Sequence, residues 1–193
     1  MIRHPGVVIR EYIEGQRKKY FNPYTFYIVT TAILIFITSQ VFKYEDKLFD
    51  FRNEYGQFLN LHRNIINICC LPVVALLLQL FFYKKKYNYA EWITFLVFAF
   101  GFINFFEIFI QLLYFPFISY HSWLANYTDM AGYIIFLLVL IRFTEAKKWW
   151  QILECFLVVL IIYFFVELVA QLIALGIWGV PIEKLIRMFK NSF

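Results

Sequence analysis

Between Tyr24 and Trp178 the chain runs through five apolar stretches joined by short polar connections. The first, TFYIVTTAILIFITSQVF from Thr25 to Phe42, approaches the ~20 residues that a helix needs to cross a ~30 Å hydrocarbon core. Lipid offers no partner to an unpaired backbone N–H or C=O, so such a stretch must be a helix or part of a closed barrel. Unbroken apolar runs lack the alternation of barrel strands, which leaves helices. The spacing predicts an all-α integral membrane protein with about five transmembrane helices. A single membrane domain, 1–193, would hold spans at about 24–42, 64–83, 91–115, 130–146 and 149–178, the second loosened by Pro72.

Hydrophobic residues fill 62% of the 193 positions, against ~45 to 50% in a soluble domain. The formal charge of +5 is spread beside span ends and not gathered in one patch. It therefore reads as bilayer orientation, and no DNA partner is expected. With a cytoplasmic N-terminus, that side holds Arg3, Arg10, Arg17, Lys18, Lys19, Lys84, Lys85, Lys86, Arg142, Lys147 and Lys148, eleven of the eighteen basic residues. The excess predicts N-in, C-out.

Within 1–23, Val8, Ile9, Tyr12, Ile13, Gln16 and Tyr20 recur at helical spacing while Arg10, Glu14, Arg17 and Lys18 point elsewhere. This predicts an amphipathic helix on the cytoplasmic surface of the bilayer. Arg10, Arg17, Lys18, Lys19, Lys84, Lys85 and Lys86 are its expected headgroup contacts and those of the second connection. The largest extramembrane piece is a polar loop at 43–63, an aromatic loop occupies 116–129, and a second amphipathic segment forms the tail, 179–193.

Ionisable residues inside apolar spans are expensive, on the order of 2.5 to 3.5 kcal/mol for a carboxylate at the helix centre, so each marks a candidate site. In the third span Asn104, Glu107 and Gln111 are spaced by three and four, which places them on one helical face. The fifth span repeats the arrangement with Glu167 and Gln171, at similar depth. These five residues are candidates for a shared polar surface, either a hydrated or proton-linked path or interhelical hydrogen-bonding glue. Arg142 and Glu154 come to similar depth across the Lys147-Lys148 turn, and a salt bridge between them is expected to fasten that hairpin. Trp92, Trp123, Trp149, Trp150 and Trp178 lie near span ends, as in an aromatic belt.

Signs of catalysis are poor. His4, His62 and His121 lie outside the spans and far apart, and no HExxH, nucleophile elbow or phosphate loop is present. Cys69, Cys70 and Cys155 lack the spacing of a zinc site or redox pair. The expectation is a protein that is not an enzyme, with no cofactor and no metal. Asn126-Tyr127-Thr128 matches a glycosylation sequon.

The opening HPGVVIREYIEGQRKKYFNPYTFYIV resembles the signature of an uncharacterised bacterial multi-spanning membrane family, PG-x-x-IREYI-x-GKR-x-x-Y-x-x-P followed by a span. The matching residues are Pro5, Gly6, Ile9, Arg10, Glu11, Tyr12, Ile13, Gly15, Arg17, Tyr20 and Pro23, with Gln16 where the family has lysine. Segments YAEWITFLVFAFGFINFF and FLLVLIRFTEAKKWWQILECFLVVLIIYFF are similar to its later spans. The chain departs from the family in having no cysteine-rich zinc ribbon, and in Gly101 and Ile103 where members often carry histidine. The resemblance implies architecture, in the inner membrane of a bacterium. In size and span count the chain also looks like the accessory membrane proteins encoded beside RNA-guided, RNA-targeting type VI-B CRISPR effectors.

The functional expectation is a non-enzymatic protein that self-associates to form or regulate a permeation path, as in an antiviral accessory. The alternatives are a small proton- or ion-coupled transporter using Glu107 and Glu167, or a scaffold recruiting a soluble effector or RNA complex. Expected partners are the lipid bilayer, further copies of the chain and that cytoplasmic complex.

Overall fold

A computed structural model describes residues 5–48, 54–114 and 127–178, with the side chains of 5–40, 65–113 and 131–173. Side-chain caps fix three of the helix starts. Asn22 Oδ1 accepts from Tyr24 N at 2.9 Å, and Pro23, whose ring presets the first helical φ, opens a helix running Pro23–Leu48 (α2). Asn88 and Glu91 form a reciprocal capping box, Glu91 N donating to Asn88 Oδ1 and Asn88 N to Glu91 Oε2, at the head of Tyr89–Tyr114 (α4). Gln151 Oε1 accepts from Lys147 N and Lys148 N where Trp149–Trp178 (α6) begins. Between these lie Glu54–Phe81 (α3) and Tyr127–Thr144 (α5), and ahead of them the short Pro5–Ile13 (α1).

Two helices end in Schellman motifs. In α1, Gln16 N donates to Glu11 O and Gly15 N to Tyr12 O, and Gly15 takes the φ of 111° that the motif demands. In α5, Ala146 N donates to Ile141 O and the left-handed position is held by Glu145, at φ 55°.

All described elements are helical. The stretches Arg17–Gln40, Tyr89–Leu113 and Trp149–Ile173 are long and apolar enough to cross a membrane, and Ile65–Phe81 and Ala131–Thr144 are shorter apolar helices. The chain is thus an all-α membrane protein, with the amphipathic helix at its N-terminal end. Helix α4 is the most enclosed: it packs on α2, α3, α5 and α1, whereas α6 packs on α3 and α5. Small residues allow the closest crossing. A Cβ on Gly101 would stand 2.6 Å from the Phe26 ring, so α2 lies directly over α4 there.

Three expectations change. Helix continues through 43–48 and resumes at Glu54, so most of the expected polar loop is helical: Lys43 to Lys47 contain no breaker, and propagation does not stop where hydrophobicity does. The apolar face of α1 is covered by α4 and α5, with Ile9 0% exposed. Trp92 is also 0% exposed, enclosed by Phe82, Tyr87, Phe95 and Phe143 in an aromatic cluster and absent from the perimeter. Trp149 and Trp150 do stand exposed. The aromatic loop with Trp123 and the sequon's Asn126, the tail, and the side chain of Trp178 lie outside the described residues.

Candidate functional site: an intramembrane carboxylate cavity

Helices α3 to α6 surround a mainly apolar cavity of about 50 Å³, in which Asn67, Asn104, Glu107 and Tyr133 stand among Phe100, Ile103, Gly132, Phe136, Ile162 and Val166. That volume exceeds the ~10 to 15 Å³ a single water requires, and the four polar side chains supply partners for it. Glu107 follows the start of α4 by 18 residues, about 27 Å along the axis, which puts the carboxyl group toward the end opposite α1. Gly132 makes room for it: a Cβ there would stand 3.1 Å from Glu107 Oε1 and 3.3 Å from Ile103 Cγ2. The Tyr133 ring is held edge-on to Tyr163 at 4.8 Å. Among the described lining residues Glu107 brings the one carboxyl group, and none is basic.

The polar stripe on α4 divides between two neighbours. Asn104 Nδ2 donates to Thr31 Oγ1 at 2.8 Å, and Thr38 Oγ1 donates to Gln111 Oε1 at 3.1 Å, both tying α4 to α2. At ~100° per residue Asn104 and Gln111 sit within ~20° of each other, whereas Glu107 is displaced by ~60° and turns to α5. Glu167 and Gln171 are half-buried on α6 and are not among the cavity's lining residues. The cavity therefore unites Asn104 and Glu107 from the expected set and adds Asn67 and Tyr133. Their signal was faint: Asn67 and Asn64 form no pattern with the polar residues of the other spans, and Tyr133 is one of 14 tyrosines.

The expected Arg142–Glu154 salt bridge is not formed. Among the described residues the ion pairs are Arg10–Glu145 and Lys19–Glu11. Burial of Val139, Leu140 and Phe143 turns Arg142 outward, and burial of Cys155, Val158 and Val159 does the same to Glu154. The hairpin is fastened to other elements instead. Arg10 of α1 pairs with Glu145, and Lys85 Nζ donates to Thr144 O at 2.6 Å across the α3–α4 connection. Lys84 sits over the Tyr83 ring at 5.7 Å, and Arg17, Lys18 and Lys86 are exposed. These groups gather at the α1 end of the bundle.

A family described as "Protein of unknown function (DUF3667)" matches part of the chain, over residues 1–35. No curated protein and no solved structure matches. The matched segment has a definite structural role. A Cβ on Gly6 would stand 2.6 Å from Val139 O and 2.7 Å from Phe143 N, so α1 touches the α5 backbone. Ile9 fills the core, Tyr12 meets Phe98 edge-on at 5.2 Å, and Arg10 holds Glu145. Glu11 accepts hydrogen bonds from Tyr20 Oη and from Lys19 Nζ, and the Tyr20 hydroxyl first and Lys19 second hold its carboxyl group below the usual glutamate range. Within the segment, α1 is a docking helix that closes one end of the bundle.

Proposed function

We propose that the protein is a non-enzymatic, self-associating, multi-pass protein of the bacterial inner membrane that forms or regulates a permeation path. It crosses five times with its N-terminus in the cytoplasm, and Glu107 is the cation- or proton-binding point on the path. The observation that carries this reading is the placement of Glu107, with Asn67, Asn104 and Tyr133, on a mainly apolar cavity between four helices of one subunit. A carboxyl group off-centre in α4 carries an insertion penalty below the helix-centre value of ~2.5 to 3.5 kcal/mol, and is a candidate site on that account. The cavity makes Glu107 a better candidate than Glu167, and it supports a path within each subunit over one along an oligomer axis. The gathering of Lys84, Lys86, Lys147, Lys148, Arg17 and Lys18 at the α1 end supports the orientation. That basic end also supports a second reading, a scaffold for a soluble effector or RNA complex, in keeping with the likeness to type VI-B accessory proteins. Binding of such a complex to proteoliposomes, abolished by neutralising Lys84, Lys86, Lys147 and Lys148, would favour it.

The test of the first reading is accessibility. In a background with Cys69, Cys70 and Cys155 replaced, Asn67→Cys, which keeps Glu107, in a bilayer reacts with a small cationic thiol reagent faster than with its anionic counterpart, and adding Glu107→Gln removes that preference. Failure to react with either, while a cysteine at exposed Lys86 reacts with both, removes the hydrated path.

A further inference from the structure

The outward turn of Arg142 and Glu154 leaves two opposite charges on the perimeter of the bundle, each at the inner end of an exposed apolar stripe. On α5 the stripe is Ile134, Leu138 and Arg142, spaced by four. On α6 it is Glu154, Leu157, Ile161, Phe164 and Leu168, spaced 3-4-3-4, the repeat that seats one helix against another. Arg142 lies two residues inside the end of α5 and Glu154 five inside the start of α6. At ~1.5 Å per residue these are depths of about 3 and about 8 Å from the same end, a difference that an arginine side chain spans.

Lipid serves the two unequally. A phosphate headgroup satisfies an arginine and repels a glutamate, and the hydrocarbon stabilises neither. Within the subunit, neither enters an ion pair among the described residues. A second copy of the chain resolves both at once. Any rotation about the membrane normal preserves depth, so the α5 stripe of one copy can lie along the α6 stripe of the next with Arg142 opposite Glu154.

We infer that the chain self-associates through these two stripes, Ile134-Leu138-Arg142 of one subunit against Glu154-Leu157-Ile161 of its neighbour, with an Arg142–Glu154 ion pair between subunits setting the register. The inference deepens the self-associating part of the proposed function and names its interface. It requires nothing of the Glu107 cavity.

The experiment co-expresses two differently tagged full-length chains in membranes, one Leu138→Cys and the other Leu157→Cys, both lacking Cys69, Cys70 and Cys155 and both keeping the two charges. Mild oxidation yields the mixed cross-linked dimer, whereas Leu80→Cys, on the exposed face of α3, paired with Leu157→Cys does not. Arg142→Glu on both chains lowers the cross-linked fraction several-fold, and Arg142→Glu with Glu154→Arg on both restores it. Fluorescence-detected gel filtration of each variant certifies that it is folded. Absence of the mixed dimer from folded protein overturns the inference. A charge swap that fails to restore the cross-link, or cross-linking indifferent to Arg142→Glu, overturns the ion pair as the register device. Cross-linking of the chains with both charges kept that is lost in purely zwitterionic lipid and returns with anionic phospholipid assigns Arg142 to headgroups and likewise overturns it.

Discussion

Substituting Gly6 should loosen the whole N-terminal end, and the structure sets the scale. A methyl group there would sit 2.6 Å from Val139 O and from Arg142 Cβ, and 2.7 Å from Phe143 N. Two of these are backbone atoms of a packed helix, so α1 itself must move. Overpacking of this kind costs ~1 to 3 kcal/mol. Releasing α1 altogether would expose Val8 and Ile9, 6% and 0% exposed when docked, at ~1.5 to 3 kcal/mol each. Gly6→Ala should therefore stay docked and lose ~1 to 3 kcal/mol, because shifting costs less than release. Gly6→Val, with two more carbons at the same contact, approaches the cost of release. A free nine-residue helix is too short to persist in water. The assay is thiol labelling of Val8→Cys in nanodiscs, in a background without the native cysteines. Labelling should be slow when Gly6 is retained, modestly faster with Gly6→Ala and fast with Gly6→Val. Equal labelling of all three would refute the close-approach argument.

Breaking the Asn104–Thr31 bond should separate α4 from α2 energetically: Asn104→Leu and Thr31→Val should couple by ~0.6 to 2 kcal/mol in a double-mutant cycle of thermal or detergent unfolding. The Arg10–Glu145 pair is part-exposed and contributes ~0.5 to 1 kcal/mol. Arg10→Met should then destabilise by about that amount, while Glu145→Gly should be near neutral, since glycine relieves ~0.5 to 1 kcal/mol at the left-handed φ. Both are read from the unfolding midpoint in detergent. Glu11 has its carboxyl group held low by the Tyr20 hydroxyl and Lys19, so its contribution is present above the usual glutamate value of ~4.3 and is lost as pH falls below it. Tyr20→Phe should flatten that acid-side decline in a melting scan across pH ~3 to ~6.

Much of this molecule was legible because the bilayer imposes few solutions. Length and apolarity placed the helices, and the fifth apolar segment runs Trp149–Trp178 as expected. Helix ends beyond the apolar runs were not legible, since hydropathy marks where lipid begins and not where the backbone uncoils. Facing was the harder matter. Arg142 and Glu154 lie within ~5 Å of each other in depth, but depth carries no information on azimuth, and the burial of Val139 and Phe143 decides that. Trp92 sits near a span end like a belt residue, yet α3 and α5 close over it. The stripe of Asn104, Glu107 and Gln111 was visible from spacing, whereas its division between α2 and α5 depends on Thr31, Thr38 and Gly132, ordinary residues until their neighbours are known.

The central claim is that the carboxyl group of Glu107 serves a permeation path, and ion flux tests it most directly. Purified protein in liposomes should pass protons or monovalent cations above the background of empty vesicles between pH ~5 and ~8. Glu107→Gln preserves shape and removes the charge, so it should change that flux several-fold while leaving association intact, and Glu167→Gln should change it less. Wild-type protein that conducts nothing across this range, alone or with partner proteins, or a Glu107→Gln variant with wild-type flux, would contradict the account.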